Sequence, residues 1–232
     1  MMLVRRCLIA LVILYGALLY GAPDVWAREK DPRLPPGTDP GGVALALIST
    51  GIDYTLPEIA GRLARDGEGQ LIGRDFVDDD PLPYASAEGD QGGRGAVIAR
   101  AILAEAPSTR LIPVRIDPQK PGSVPEALAF VARTPARAAL VDPVGSDGEG
   151  DLMRKAAQEA RHLLIVIPAA GALADLENVL AVASRNGGTS SEPRPDTDVA
   201  IQSMRLAAEI AESDPSLDGA GLKRAVLARL AR

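Results

Sequence analysis

Two hydroxyl groups stand in sequence settings that could make them nucleophiles. Ser49 ends an unbroken apolar run, Val43 to Ile48, and is followed by Thr50-Gly51. Ser190 closes a Gly188-Thr189-Ser190 triplet. A hydroxyl alone does no hydrolysis: a base must take its proton, and a third group must orient that base. The chain has one histidine, His162, directly before the apolar run Leu163 to Ile167. It therefore falls at the amino end of a candidate strand, opposite the edge on which α/β sheets build their sites. Its plain reading is a helix-end cation or a surface residue. After Ser190 come Ser191-Glu192-Pro193-Arg194-Pro195, ordinary loop composition in which two prolines forbid an immediate helix. Asp78-Asp79-Asp80 could hold calcium through carboxylate oxygens or simply form a solvated loop.

The elements that would position these groups follow from apolar patterning. A short continuous apolar run such as Val43 to Ile48, closed by a turn signal at Ser49-Thr50-Gly51, predicts a strand buried on both faces of a parallel sheet. Gly51 supplies the tight turn at its carboxyl end. Further strands are predicted at Leu71 to Val77, Arg110 to Ile116, Ala138 to Val141, Leu163 to Ile167 and Val179 to Ala183. Helices are predicted at Leu56 to Leu63, from Gly92 to about Ala106, and at Val124 to Arg133, Leu152 to Arg161, Asp198 to Glu212 and Gly221 to Leu230. Strands alternating with helices of this length predict an α/β fold with a doubly wound parallel sheet. The strands at Val43, Arg110, Ala138, Leu163 and Val179 are expected to be central, with helices on both faces.

Composition narrows the function classes. The chain has 232 residues, 47% of them hydrophobic and only 3% aromatic, enough for one domain with a core of Ala, Val, Leu and Ile. A net charge of −6 argues against the basic face that nucleic-acid binding requires and gives no reason to expect attraction to anionic lipid. Residues 1–27 read as a signal peptide: Arg5 and Arg6, an apolar stretch from Leu8 to Ala22, and a small-residue cleavage site at Val25-Trp26-Ala27. The apolar stretch is shorter than the roughly 18–20 residues of a spanning helix; an uncleaved anchor is the alternative. Cys7, the only cysteine, lies in this segment, so the mature chain has no disulfide or thiol chemistry, and one histidine argues against a zinc cluster. Residues 28–42 read as an irregular leader, and residues 43–232 as one domain, exported to the periplasm or secreted.

The motifs taken together resemble the subtilisin-like serine proteases, or subtilases. Val43 to Asp53 is similar to the family's first motif strand, with Ser49 where the family has aspartate. The wording I-D-Y-T-L-P-E-I-A-G-R-L followed by G-R-D-F-V-D-D-D is similar to the segment after that aspartate. Gly92-Gly93-Arg94-Gly95-Ala96-Val97-Ile98-Ala99 resembles the histidine motif, with Arg94 at the histidine. Asp142-Pro143-Val144-Gly145 stands at the substrate-pairing edge. Ala169-Ala170-Gly171-Ala172 places Ala172 at the oxyanion asparagine, and counting back from Asp214-Pro215 places Asp198 at the catalytic serine. The resemblance implies a subtilisin-like three-layer domain, trimmed between the Val179 strand and the last helices. Its triad positions read Ser49, Arg94, Asp198. Arginine stays protonated and cannot be a base, no lysine lies in these motifs, and Ala172 has no donor for an oxyanion. The expectation is a catalytically inactive subtilase with no cofactor, binding an envelope protein or peptide. The alternatives are a hydrolase with a relocated site using Ser190 or Ser49, and a decayed domain without its own role. If the resemblance holds, Arg94 and Asp198 should form an ion pair, with Asp198 at its helix's N-terminus and Ser49 nearby.

Overall fold

The computed structural model describes residues 31–86, 92–142, 150–168, 173–182 and 195–232. The chain divides into two units, Met1–Asp31 and Pro32–Arg232, and the second carries the fold. Its strands are β1 (Val43–Ser49), β2 (Arg74–Asp75), β3 (Thr109–Arg115), β4 (Ala136–Val141), β5 (Leu164–Ile167) and β6 (Val179–Ala181). The helices are α1 (Pro57–Ala60), α2 (Gly92–Glu105), α3 (Ser123–Val131), α4 (Gly150–Glu159), α5 (Pro195–Ser213) and α6 (Gly219–Leu230). The strands form one sheet in the order β2-β3-β1-β4-β5-β6, every neighbouring pair parallel. Among the described residues, no helix is long and apolar enough to cross a membrane.

Side chains alternate across each strand, and the alternation sorts the interior into two layers. Leu45, Leu47, Leu111, Ala138, Leu140, Leu164 and Val166 face α2, α5 and α6. Ala44, Ala46, Ile48, Ile112, Val114, Ala139, Val141 and Ile165 face α3 and α4. The sheet is thus covered on both sides, as the uninterrupted apolar runs predict.

Three elements depart from the expected layout. The Leu71 to Val77 strand shrinks to Arg74–Asp75, because the Asp75 carboxylate accepts from the N–H groups of Val77 and Asp78 at 2.7 and 2.9 Å and curls the chain out of the sheet. Among the described residues the Val179 strand stands at the edge of the sheet rather than at its centre. Helix α5 begins at Pro195; a proline lacks only an N–H that the first turn leaves unpaired anyway, so the residue read as a helix breaker opens the helix.

Residues 32–42 have no regular secondary structure up to β1, and they are pinned along the body by three polar anchors. The Tyr54 hydroxyl donates to Pro32 O at 2.7 Å. Arg65, 5% exposed, donates to Pro35 O and Gly69 O at 2.6 and 2.9 Å. The Asp39 carboxylate accepts from Gly41 N, Arg65 N and Arg110 Nη1 at 2.7, 2.8 and 2.7 Å. Desolvation is the largest single influence on Asp39 and acts upward, but those donors together outweigh it and hold the carboxyl below its ordinary value. A depressed folded-state pKa stabilises the fold above the unfolded value and ceases to do so as pH falls through the folded one. Asp39→Asn should therefore melt below wild type at neutral pH by about 1–3 kcal/mol. The gap should close in acid, below the ordinary aspartate pKa of about 4. Thermal melts of both proteins across pH check this.

Candidate functional site

From β1 the chain goes to β2 and β3 on one side, and then to β4, β5 and β6 on the other. The connections leaving the carboxyl ends of β1 and β4 therefore run in opposite directions. A crevice at such a switch point is where open parallel sheets bind ligands. Ser49 ends β1 and Asp142 follows β4, joined by the backbone bond from Asp142 N to Ile48 O at 2.8 Å. By strand alternation, Ser49 continues the Leu45 and Leu47 row and Asp142 continues the Ala138 and Leu140 row. Both side chains thus point to the layer occupied by α2.

The first turn of α2 is set against this edge by glycine. A Cβ built on Gly95 would sit 2.0 Å from Gly51 O and 3.0 Å from Ser49 Oγ. No side chain fits there, so the glycine that follows Arg94 lets the helix start rest on the turn after β1. Gly51 has φ 111°, a conformation glycine alone adopts without strain.

Arg94 is delivered to Asp142. Its Nε donates to Oδ2 at 2.6 Å and its Nη2 to Oδ1 at 2.8 Å, the bidentate geometry of strong charge-assisted pairs. The Asp142 side chain is 6% exposed and that of Arg94 34%. Its hydrogen bonds to the Asp142 carboxylate hold the guanidinium above its already high ordinary value, against the opposing effect of burial. The crevice thus holds a permanent cation.

The expected Arg94–Asp198 pair is replaced by this one. Asp198 lies within the first turns of α5, three residues after Pro195, rather than at its start, and is exposed. It lines a groove of about 400 Å³ between α2 and α5, with Ala101, Glu105, Ile201 and Arg205 among its walls. Ser49 does lie at the crevice. It is 2% exposed, and its Oγ accepts from Gly51 N at 3.2 Å and donates to Gly51 O at 3.4 Å. That is a local turn in which the hydroxyl serves its own backbone. His162 is exposed and precedes β5 at the amino edge. Ala172 and the Gly188-Thr189-Ser190 triplet lie outside the described residues.

On the other flank of Ser49, Arg115 ends β3 opposite it in register. Arg115 Nη1 donates to Asp75 Oδ2 and Asp78 Oδ2, 2.9 Å each. Asp79 pairs with Arg74, and Asp80 Oδ1 accepts from Leu82 N at 2.7 Å. Asp75 is fully buried; desolvation pushes its carboxyl up, against the pull of Val77 N–H and Arg115. The three carboxylates of the acidic loop thus turn to different partners, and arginines meet the charge of Asp78 and Asp79. Sequence reading missed Asp142 and Asp75 as anchors. The available signal was phase: Asp142 is two residues past Leu140 and so shares its face.

No protein-family model matches the chain, and no curated protein matches it. Among solved structures it is similar to a cold-adapted subtilisin-like serine proteinase, at 14% identity and a TM-score of 0.49 over 84% of each chain. At that score the likeness by itself assigns neither family nor activity.

The pair makes an asymmetric prediction. Arg94→Ala leaves a buried carboxylate without its partner and should cost about 3 kcal/mol or more. Asp142→Ala leaves an arginine that can turn to water and should cost less, about 1–2 kcal/mol. The double variant should lose less than the sum, a coupling read from denaturant melts of the four proteins. Strictly additive losses would show that the two groups do not support each other.

Proposed function

We propose that this chain is a catalytically inactive, subtilase-like binding or scaffolding module that acts after export. The observation carrying the reading is the Arg94–Asp142 clasp. It occupies the switch-point crevice, where a working hydrolase would need a titratable base beside the Ser49 hydroxyl. The motif resemblance in β1, α2 and the closing helices supports the family reading. The position of His162 at the opposite edge removes the only imidazole from the crevice. On this reading residues 1–27 direct export to the bacterial envelope or beyond, and the partner is an envelope protein or peptide.

An active-site serine phosphonate probe tests the activity, since labelling requires an activated hydroxyl. The expected result is no labelling and no casein cleavage above background, unchanged in Ser49→Ala and Ser190→Ala. Labelling or turnover abolished by either substitution would establish a relocated hydrolase site instead. Binding at the crevice is read by capture from an envelope extract with wild type and Arg94→Glu side by side. A partner held by wild type and lost by the variant is expected; one retained by both docks elsewhere.

A further inference from the structure

We infer that the trough along the outer face of α2, between α1 and α5, seats a cationic amphipathic helix of a partner protein. Val97 is 53% exposed, although most apolar residues of α2 are buried. Ala101 and Ala104 continue its row, four and seven residues further on, a spacing that shares one helix face. Two depressions flank that row. One, of about 510 Å³, has Glu58, Val97 and Arg100 around it. The other, of about 400 Å³, has Glu105, Asp198, Ile201, Gln202 and Arg205. Ala101 and Ala104 line both, so the two form one trough, and every residue around it is among those described.

The charges around the trough are not all matched. Arg100 pairs with Glu58 at 2.8 Å, and Arg205 with Glu209 at 2.5 Å and Glu105 at 3.5 Å. Both cations are engaged, whereas Asp198 is exposed and has no partner among the described residues. Its level in the trough follows from the helix directions. Glu105 meets Arg205, and Ser108, just past the end of α2, donates to Glu212 at 3.2 Å. Contacts met in the same order along both segments mean that α2 and α5 run parallel. Asp198 is seven residues before Arg205, a rise of about 10 Å. The same step back from Glu105 on α2 falls between Val97 and Ala101. An unpaired carboxylate therefore stands level with the exposed valine.

That arrangement selects the occupant. An apolar floor with a free carboxylate at its rim suits a lysine or arginine, which can lay its stem on the floor and bring its charge to the acid. A trough flanked by two parallel helices is the shape a third helix fills, with an apolar row at i, i+3 and i+4 as anchor. Two copies of this chain meeting by this face would set acid against acid, since Glu58, Glu105 and Asp198 outnumber Arg100 and Arg205 around it. A partner helix with lysines beside its apolar row meets both demands, and the chain's net charge of −6 would speed its approach.

Fluorescence anisotropy of the full chain with two labelled peptides tests this. One is an amphipathic helix of Leu, Ala and Lys; its twin carries Glu in place of each Lys. Saturable binding of the lysine peptide alone is expected, weakened about tenfold (about 1.4 kcal/mol) or more in Asp198→Lys. Glu126→Lys makes the same charge change on α3, across the sheet, and should leave binding near the wild-type level, which separates docking from general attraction to an acidic chain. Arg94→Ala should also leave it unchanged, so failure here is separable from failure of the crevice reading. Hydrogen exchange gives the location: the peptide should protect amides of α2 and α5 around Ala101 and Gln202. If circular dichroism shows Asp198→Lys to be unfolded, Val97→Lys decides in its place. A lysine peptide that does not bind, that binds no better than its twin, that ignores the deciding substitution or that protects another surface overturns the proposal.

Discussion

The arrangement around the crevice depends on one close approach, that of the first turn of α2 onto the turn after β1. Gly95 lies so near Gly51 O that a single added carbon would overlap the carbonyl. Two backbones meeting without side chains between them bring the start of a helix to the carboxyl end of a central strand. Once that contact is made, residue 94 has little choice of position. It leans over the ends of β1 and β4, and the buried carboxylate at the end of β4 is what it meets. The Arg94–Asp142 clasp is thus a consequence of glycine packing as much as of charge attraction.

Arginine recurs as the tie between irregular segments and the sheet. Arg62 donates to Thr109 O and Ala106 O at 2.9 and 3.2 Å, holding the end of α2 and the start of β3 to the segment after α1. Arg137 donates to Leu217 O at 2.6 Å and ties β4 to the turn before α6. Arg65 and Arg110 hold residues 35–41. A core with few aromatics, filled by Ala, Val, Leu and Ile, packs its strands and helices well but offers few large rings to cover loops. Long guanidinium side chains can bury their stems while their heads satisfy backbone carbonyls that water no longer reaches. Asn178 does the same over a shorter reach, donating to Ala157 O, Ala160 O and Leu163 O, and so joining the end of α4 to β6.

On the proposed reading, the chemistry at the crevice differs in kind from that of a hydrolase. A hydrolase sets its nucleophile against a base able to take its proton, and that base against a group that orients it. Here the groups are already matched: Ser49 to its own turn, Arg94 to Asp142, and Arg115 to Asp75 and Asp78. Matched groups favour a rigid surface over a reactive one.

The sequence by itself determined the parallel sheet, the helices on both faces, the turn at Gly51 and the seating of the α2 start. These follow from local patterning: short continuous apolar runs closed by turn signals read as strands buried on both sides, and glycine doublets ahead of an apolar helix signal close backbone contact. It also placed Ser49 at the crevice and His162 at the opposite edge, because strand direction is readable from an unbroken run. Only the tertiary structure decided the partner of Arg94. Asp142 and Asp198 lie 48 and 104 residues beyond it, and no local signal ranks two carboxylates at such distances. What ranked them was the register of β4 beside β1, which aims Asp142 inward, and the start of α5 at Pro195, which carries Asp198 past the helix end and out to solvent. Among the described residues, the same register set Val179 at the edge of the sheet. Its apolar residues suit a central strand equally well, and only the count of strands beyond it separates the two.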